Sequence, residues 1–159
     1  MNPAAAFAEP LANTALARWV QSAWVFPMIE SAHILSFALL VGAIAVLDVR
    51  LIGLLRHQGA APLMRSALPV ALAGFGGAVV TGTLLFVANA GDLLANRAFT
   101  VKIGLLMFGG LNAAWFHAST TREALASDAP PSAGMRAAGA ISLLLWAAVI
   151  VSGRLIAYV

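Results

Sequence analysis

From Trp24 to Leu55 the chain reads WVFPMIESAHILSFALLVGAIAVLDVRLIGLL, an apolar run interrupted by Glu30, His33, Asp48 and Arg50. An α-helix rises about 1.5 Å per residue and about 20 apolar residues cross a hydrocarbon core, so this run is long enough to reach both headgroup regions. Three further runs repeat the pattern, which predicts spans at about 24–55, 63–90, 100–120 and 135–158. Ahead of the first, Leu11, Ala15, Leu16, Trp19, Val20 and Ala23 recur on one side, with Asn13, Arg18 and Gln21 elsewhere. That spacing predicts an amphipathic helix lying at the membrane interface over about 11–23, anchored by Trp19 and Trp24. The first span is expected to begin between Val20 and Pro27, because proline is tolerated in a first turn and not deeper.

The connections differ in kind. Gly59 and Pro62 in RHQGAAPLMR close one helix and open the next, AGDLLANRAF reads as a short polar turn, and STTREALASDAPPSAGMR is the longest loop. The expected fold is an all-α integral membrane protein. It is a single transmembrane domain over 1–159, a four-transmembrane-helix bundle with a short N-terminal interfacial helix. In the second span, Ala73, Gly77 and Thr81 lie four residues apart with Ala78 and Gly82 beside them, a small-residue face expected to pack against another helix.

Composition narrows the class. Hydrophobic residues make up 62% and charged residues 9%, against about one quarter charged in soluble domains. The pI of 10.7 comes from basic residues scattered around the spans, with no cluster that would hold nucleic acid. The expected partners are the lipid bilayer and a homodimer or larger membrane complex. With no cysteine, a disulfide, a thiolate metal site and c-type haem attachment are excluded, so a metal must use His, Met, carboxylate or a cofactor. No nucleophile with an adjacent base, phosphate-binding loop or catalytic carboxylate pair is found, which argues against hydrolysis and phosphoryl transfer.

Residues 1–23 lack the basic and apolar regions of a cleavable signal peptide, so insertion through the internal spans is expected, with the N-terminus retained. Arg50, Arg56, Arg65, Arg122 and Arg136 lie by the 50–65 and 121–136 connections, against Arg18, Arg97, Lys102 and Arg154 on the other side. This bias makes those connections cytoplasmic and both termini non-cytoplasmic, in a bacterial inner membrane.

Ionisable groups within spans are costly and mark candidate sites. Helical turn places Glu30, His33 and Asp48 within roughly a 60° sector. By depth, Glu30, His33, Asn89, Asp92, Arg97, Lys102, Arg154 and Tyr158 fall in the outer half, and Asp48, Arg50, Arg56, His57, Arg65, Trp115 and His117 in the inner half. His33 and His117 are then roughly 20 Å apart along the bundle and do not share one haem within a protomer. A two-fold axis along the membrane normal would pair His33 with its symmetry mate instead.

The run HILSFALLVGAIAVLDVRLIG, with His33, Gly42 and Arg50, resembles the first conserved helix of the membrane superfamily of CopD-type copper-resistance proteins and HemJ-type protoporphyrinogen oxidases. LPVALAGFGGAVVTGTLLF is similar to that family's next helix, and FTVKIGLLMFGGLNAAWFH carries its lysine and a later histidine. The WxxPxxExxH start and GRLIAY end are closer still to small uncharacterised bacterial four-helix membrane proteins. The resemblance implies haem b held by His33, functional roles for Lys102 and Arg50, and Lys102 and Arg154 as cofactor-binding residues that meet propionates or a charged ligand. Glu30 and the longer lysine-to-histidine spacing depart from the oxidase pattern.

The residues leave three readings open. The first is a haem b-binding membrane protein in electron transfer or porphyrin-linked oxidation. The second is copper or metal handling through His33 and Glu30, with Met28 near; the other methionines are too dispersed for a copper path. The third is an accessory subunit with no cofactor, in which His33 is a structural histidine bonded to Glu30 or a neighbouring helix. Glu30 is expected to pair with Lys102 or Arg154, and Arg154 is favoured for its two-point grip on a carboxylate. Asp48 and Arg50 are read as fixing topology with groups of the adjoining loop.

Overall fold

The computed structural model describes residues 3–55, 58–118 and 130–159. Arg56, His57, Arg122, most of the longest loop and the side chain of His117 lie outside the described residues. Among those described, the chain is all helix: α1 (Pro3–Ala12), α2 (Ala15–Val20), α3 (Val25–Ile52), α4 (Ala60–Ala88), α5 (Ala90–Ala95), α6 (Arg97–Ala118) and α7 (Ala133–Leu155). Helices α3, α4, α6 and α7 are long and apolar enough to cross a membrane. The chain is a multi-pass membrane protein built as a four-helix bundle.

Local chemistry sets most boundaries. Pro27 is the third residue of α3, where its missing N–H breaks no helical bond. The same helix stops at Ile52 because Gly53 takes a left-handed conformation, φ 102°, and its N–H and that of Leu54 close on the Arg50 and Val49 carbonyls. Ser132 caps α7 by accepting from Met135 N–H. Two expectations are corrected. The N-terminal segment forms two helices where one was expected, because the Thr14 hydroxyl accepts from Ala17 N–H and starts α2 afresh. The expected polar turn after the second span contains a helix, α5, and Asn96 then opens α6 by accepting from Phe99 N–H at 3.1 Å.

The spans pack in the order α4, α3, α7, α6, and α3–α4 is the most extensive contact. There the backbones nearly touch: a Cβ on Gly74 would lie 2.6 Å from Leu40 N and 2.7 Å from Ser36 O. Gly77 likewise leaves room for the Ser36 side chain. Gly77 and Thr81 therefore belong to the packing face as expected, but Ala73 is exposed and Gly74 takes its place. A strict four-residue step drifts about 40° per step around a 3.6-residue helix, whereas 74, 77 and 81 stay on one side.

At the end carrying α1, α2, α5 and the C-terminus, termed the terminal end, Ala8, Ala17, Val20, Ala88 and Ala90 are buried and the Gln21 amide donates to the Ala88 carbonyl. Asn96 ties α6 to the C-terminus by donating to the Ile156 carbonyl at 3.0 Å and to that of Val159. At the opposite, loop end, Leu51 and Met135 pack with Met64 and Phe116. Large apolar side chains such as Leu35, Leu72, Phe108 and Leu144 are exposed along the spans, as expected of surfaces that meet lipid. Trp24 and Tyr158 at one end and Trp115 near the other are exposed at the depths where amphipathic rings favour headgroups.

Candidate functional site

Of the candidate residues, His33 and Lys102 come together, at the terminal end of the bundle. The half-buried imidazole of His33 reaches from α3 to α4, where Nδ1 lies 2.9 Å from Thr81 Oγ1. The Thr81 hydroxyl already donates its one proton to the Gly77 carbonyl at 2.6 Å. With that proton on the Gly77 carbonyl the Thr81 oxygen accepts from His33, the tautomer in which Nδ1 carries the imidazole hydrogen. The Ala78 carbonyl is a further acceptor close to the ring. In the neutral imidazole Nε2 is left as the lone-pair nitrogen.

Glycine makes the space for this ring. A Cβ on Gly82 would stand 3.1 Å from His33 Cε1. The imidazole also stacks with Phe37, one turn along α3, with centroids 6.3 Å apart. Phe37 meets the edge of Trp146 from α7 at 5.8 Å.

Lys102 enters from α6. Its Nζ lies 5.7 Å from the Phe37 ring centre and rests against α7 at Gly153, where a Cβ would come within 3.4 Å of it. Among the described residues no carboxylate pairs with this ammonium. The Phe37 ring thus has an imidazole on one side and an unpaired cation on another. Nearby, Phe86 of α4 and Phe99 of α6 stack at 5.8 Å, so α4 and α6 meet through rings.

Glu30 and Arg154 are not brought into this cluster as a pair. Arg154 donates from Nη2 to the Tyr158 hydroxyl and lies 4.8 Å over the Tyr158 ring. Glu30 is exposed and has no ion-pair partner among the described residues. The favoured Glu30–Arg154 pair is therefore corrected: the turn that follows α7 brings Tyr158 within reach of Arg154, and Arg154 makes this local contact instead. No group of three or more His, Asp or Glu among the described residues is placed to hold a metal ion. In the loop half, Arg50 is buried and its Nε donates to the Gln58 carbonyl at 2.9 Å, the expected tie to the adjoining loop.

Four participants escaped sequence reasoning: Thr81 as a hydrogen-bond partner rather than a packing residue, Phe37, Trp146 and Gly153. For Thr81 a signal existed, since a hydroxyl within an apolar span seeks a partner on its own or a neighbouring helix. The fold and site define a multi-pass helical membrane protein in which, among the described residues, an imidazole and an ammonium without a carboxylate partner meet one aromatic ring. Comparison with family models, with curated proteins and with solved structures gives no match.

Proposed function

We propose that this chain is a haem b-binding membrane protein acting in electron transfer or porphyrin-linked oxidation, with His33 as the iron ligand. The observation that carries the reading is the His33–Thr81–Gly77 chain of hydrogen bonds. Ligating histidines donate their second ring nitrogen to a fixed acceptor, which sets the tautomer and the ring orientation. His33 is held in that way with Nε2 available. A single imidazole suits a metal whose other ligands come from a macrocycle better than it suits a bare ion, which needs several protein ligands. Lys102 supplies a positive charge for a propionate, and the Phe37 and Trp146 rings supply apolar surface.

Bound iron would supply one-electron redox chemistry; the residues hold and orient it. Thr81 fixes the imidazole, Gly82 leaves room for it, and Lys102 neutralises an anionic group. By the arginine bias we place the site in the non-cytoplasmic half of a bacterial inner membrane, with both termini non-cytoplasmic; a homodimer or larger complex is part of the same proposal.

The test is the absorption spectrum of the purified protein. A Soret band with reduced α and β bands, abolished in folded His33→Ala, is expected. A colourless, folded protein that takes up no added haem overturns the proposal in favour of an accessory subunit, and stoichiometric copper would replace it with metal handling.

A further inference from the structure

Asp48 sits on α3 in the loop half of the bundle, far from the His33 cluster. It is 5% exposed, and its Oδ2 is enclosed with no hydrogen-bond partner among the described residues. From α7 the Ser142 hydroxyl, 8% exposed, faces the carboxyl. Gly139 presses the α7 backbone onto α3 so closely that a Cβ there would lie 2.9 Å from the Asp48 carbonyl oxygen and 3.0 Å from Leu51 Cβ. Among the described residues, two other polar groups of this half have their own partners. Arg50, on the same helix, donates to the Gln58 carbonyl, and from α6 the Asn112 amide donates to the Ala138 carbonyl at 3.3 Å. From α4 comes apolar Met64, while Arg65 of α4 and Arg136 of α7 are exposed.

An ionised carboxylate in an apolar interior needs donors, a counter-cation or water to offset its desolvation. Ser142 serves the carboxyl from α7, but among the described residues Oδ2 itself has no donor, and its enclosed surface leaves no room beside it for a water molecule or a cation with its ligands. A proton removes the charge and requires no space. We propose that Asp48 is a proton-binding site, a neutral carboxylic acid sealed between α3 and α7. The Gly139 contact holds the α3 and α7 backbones together at this level, so access to the enclosed oxygen requires the two helices to part. Proton exchange at Asp48 is thereby coupled to opening of the α3–α7 pair. The site is independent of any cofactor at His33.

Infrared spectroscopy of the protein in lipid tests this. At neutral pH the wild type is expected to show a carboxylic-acid carbonyl stretch that shifts in deuterium oxide and is lost in folded Asp48→Asn. Gly139→Ala, which forces the helices apart, is expected to lose the band through ionisation of Asp48. Should Asp48→Asn fail to fold, carbon-13 labelling of the aspartate carboxyls reads the wild type directly. Of Asp48, Asp92 and Asp128, one is expected to keep a protonated-acid shift through the neutral range. Three carboxylate shifts, or no band lost on substitution, overturn the proposal. So does a band that vanishes on adding sodium or potassium, which would mark a cation site, and an unchanged band in folded Gly139→Ala overturns the coupling.

Discussion

The Nδ1 of His33 and the hydroxyl oxygen of Thr81 lie 2.9 Å apart across the α3–α4 interface, and the direction of that bond is fixed by a third group, the Gly77 carbonyl. Thr81→Val keeps the shape and removes the acceptor. Interhelical hydrogen bonds in membranes contribute about 0.6 kcal/mol on average, so stability is expected to fall by less than about 1 kcal/mol. A ligating imidazole that loses its orienting partner binds its metal about 10–100-fold more weakly. Haem titration should therefore separate Thr81→Val from Thr81→Ser, which restores the hydroxyl. Equal affinity in both would show that the bond only packs the helices.

Lys102 shares the level of His33 through Phe37, and His117 follows on the same helix fifteen residues later. That is about 22 Å of helical rise, beyond the reach of any side chain back to the His33 cluster. His33→Ala is expected to abolish haem content while His117→Ala retains it. Molar haem per folded protein, measured side by side, checks the separation; equal loss would place both histidines at one cofactor.

Two glycines of α4, two residues apart, give a sharp contrast in packing. A methyl on Gly74 meets the backbone of Leu40 and Ser36, which cannot move aside, whereas one on Gly76 meets nothing within 4 Å. Gly74→Ala is expected to cost about 1–3 kcal/mol by overpacking. Gly76→Ala is expected to be neutral or to gain up to about 1 kcal/mol from helix propensity. Thermal unfolding in one detergent reads both; similar values would mean that α3 and α4 do not approach as closely as described.

The spans were legible because lipid demands long apolar helices whose backbone bonds close within themselves, a one-dimensional signal. The adjacency of His33 and Lys102 was legible only as a shared depth; that Phe37 lies between them depends on the rotation of α3 and α6, which rise per residue does not specify. Gly74 is not singled out by pattern because GFGG offers several small residues, successive positions lie about 100° apart, and composition does not say which arc of α4 faces α3. The α5 helix was hidden because Asn89 and Gly91 read as turn residues. Its contact with α1, from a distant part of the chain, overrides that local preference.

Arg154 was assigned to Glu30 on depth and charge, but its observed partner is four residues along its own chain. A local contact orders few additional degrees of freedom, whereas a pair between α3 and α7 must hold two long side chains in one geometry at the membrane edge. Both groups at that edge also retain access to water and headgroups, which weakens the incentive to pair. Double-mutant cycles distinguish the arrangements. Glu30→Gln and Arg154→Gln are expected to add within about 0.3–0.5 kcal/mol, the range for independent sites. Arg154→Gln and Tyr158→Phe share a hydrogen bond and a ring contact, so their effects are expected to be non-additive by about 0.5 kcal/mol or more. Coupling in the first cycle and none in the second would restore the Glu30–Arg154 pair and link the first and last spans by charge.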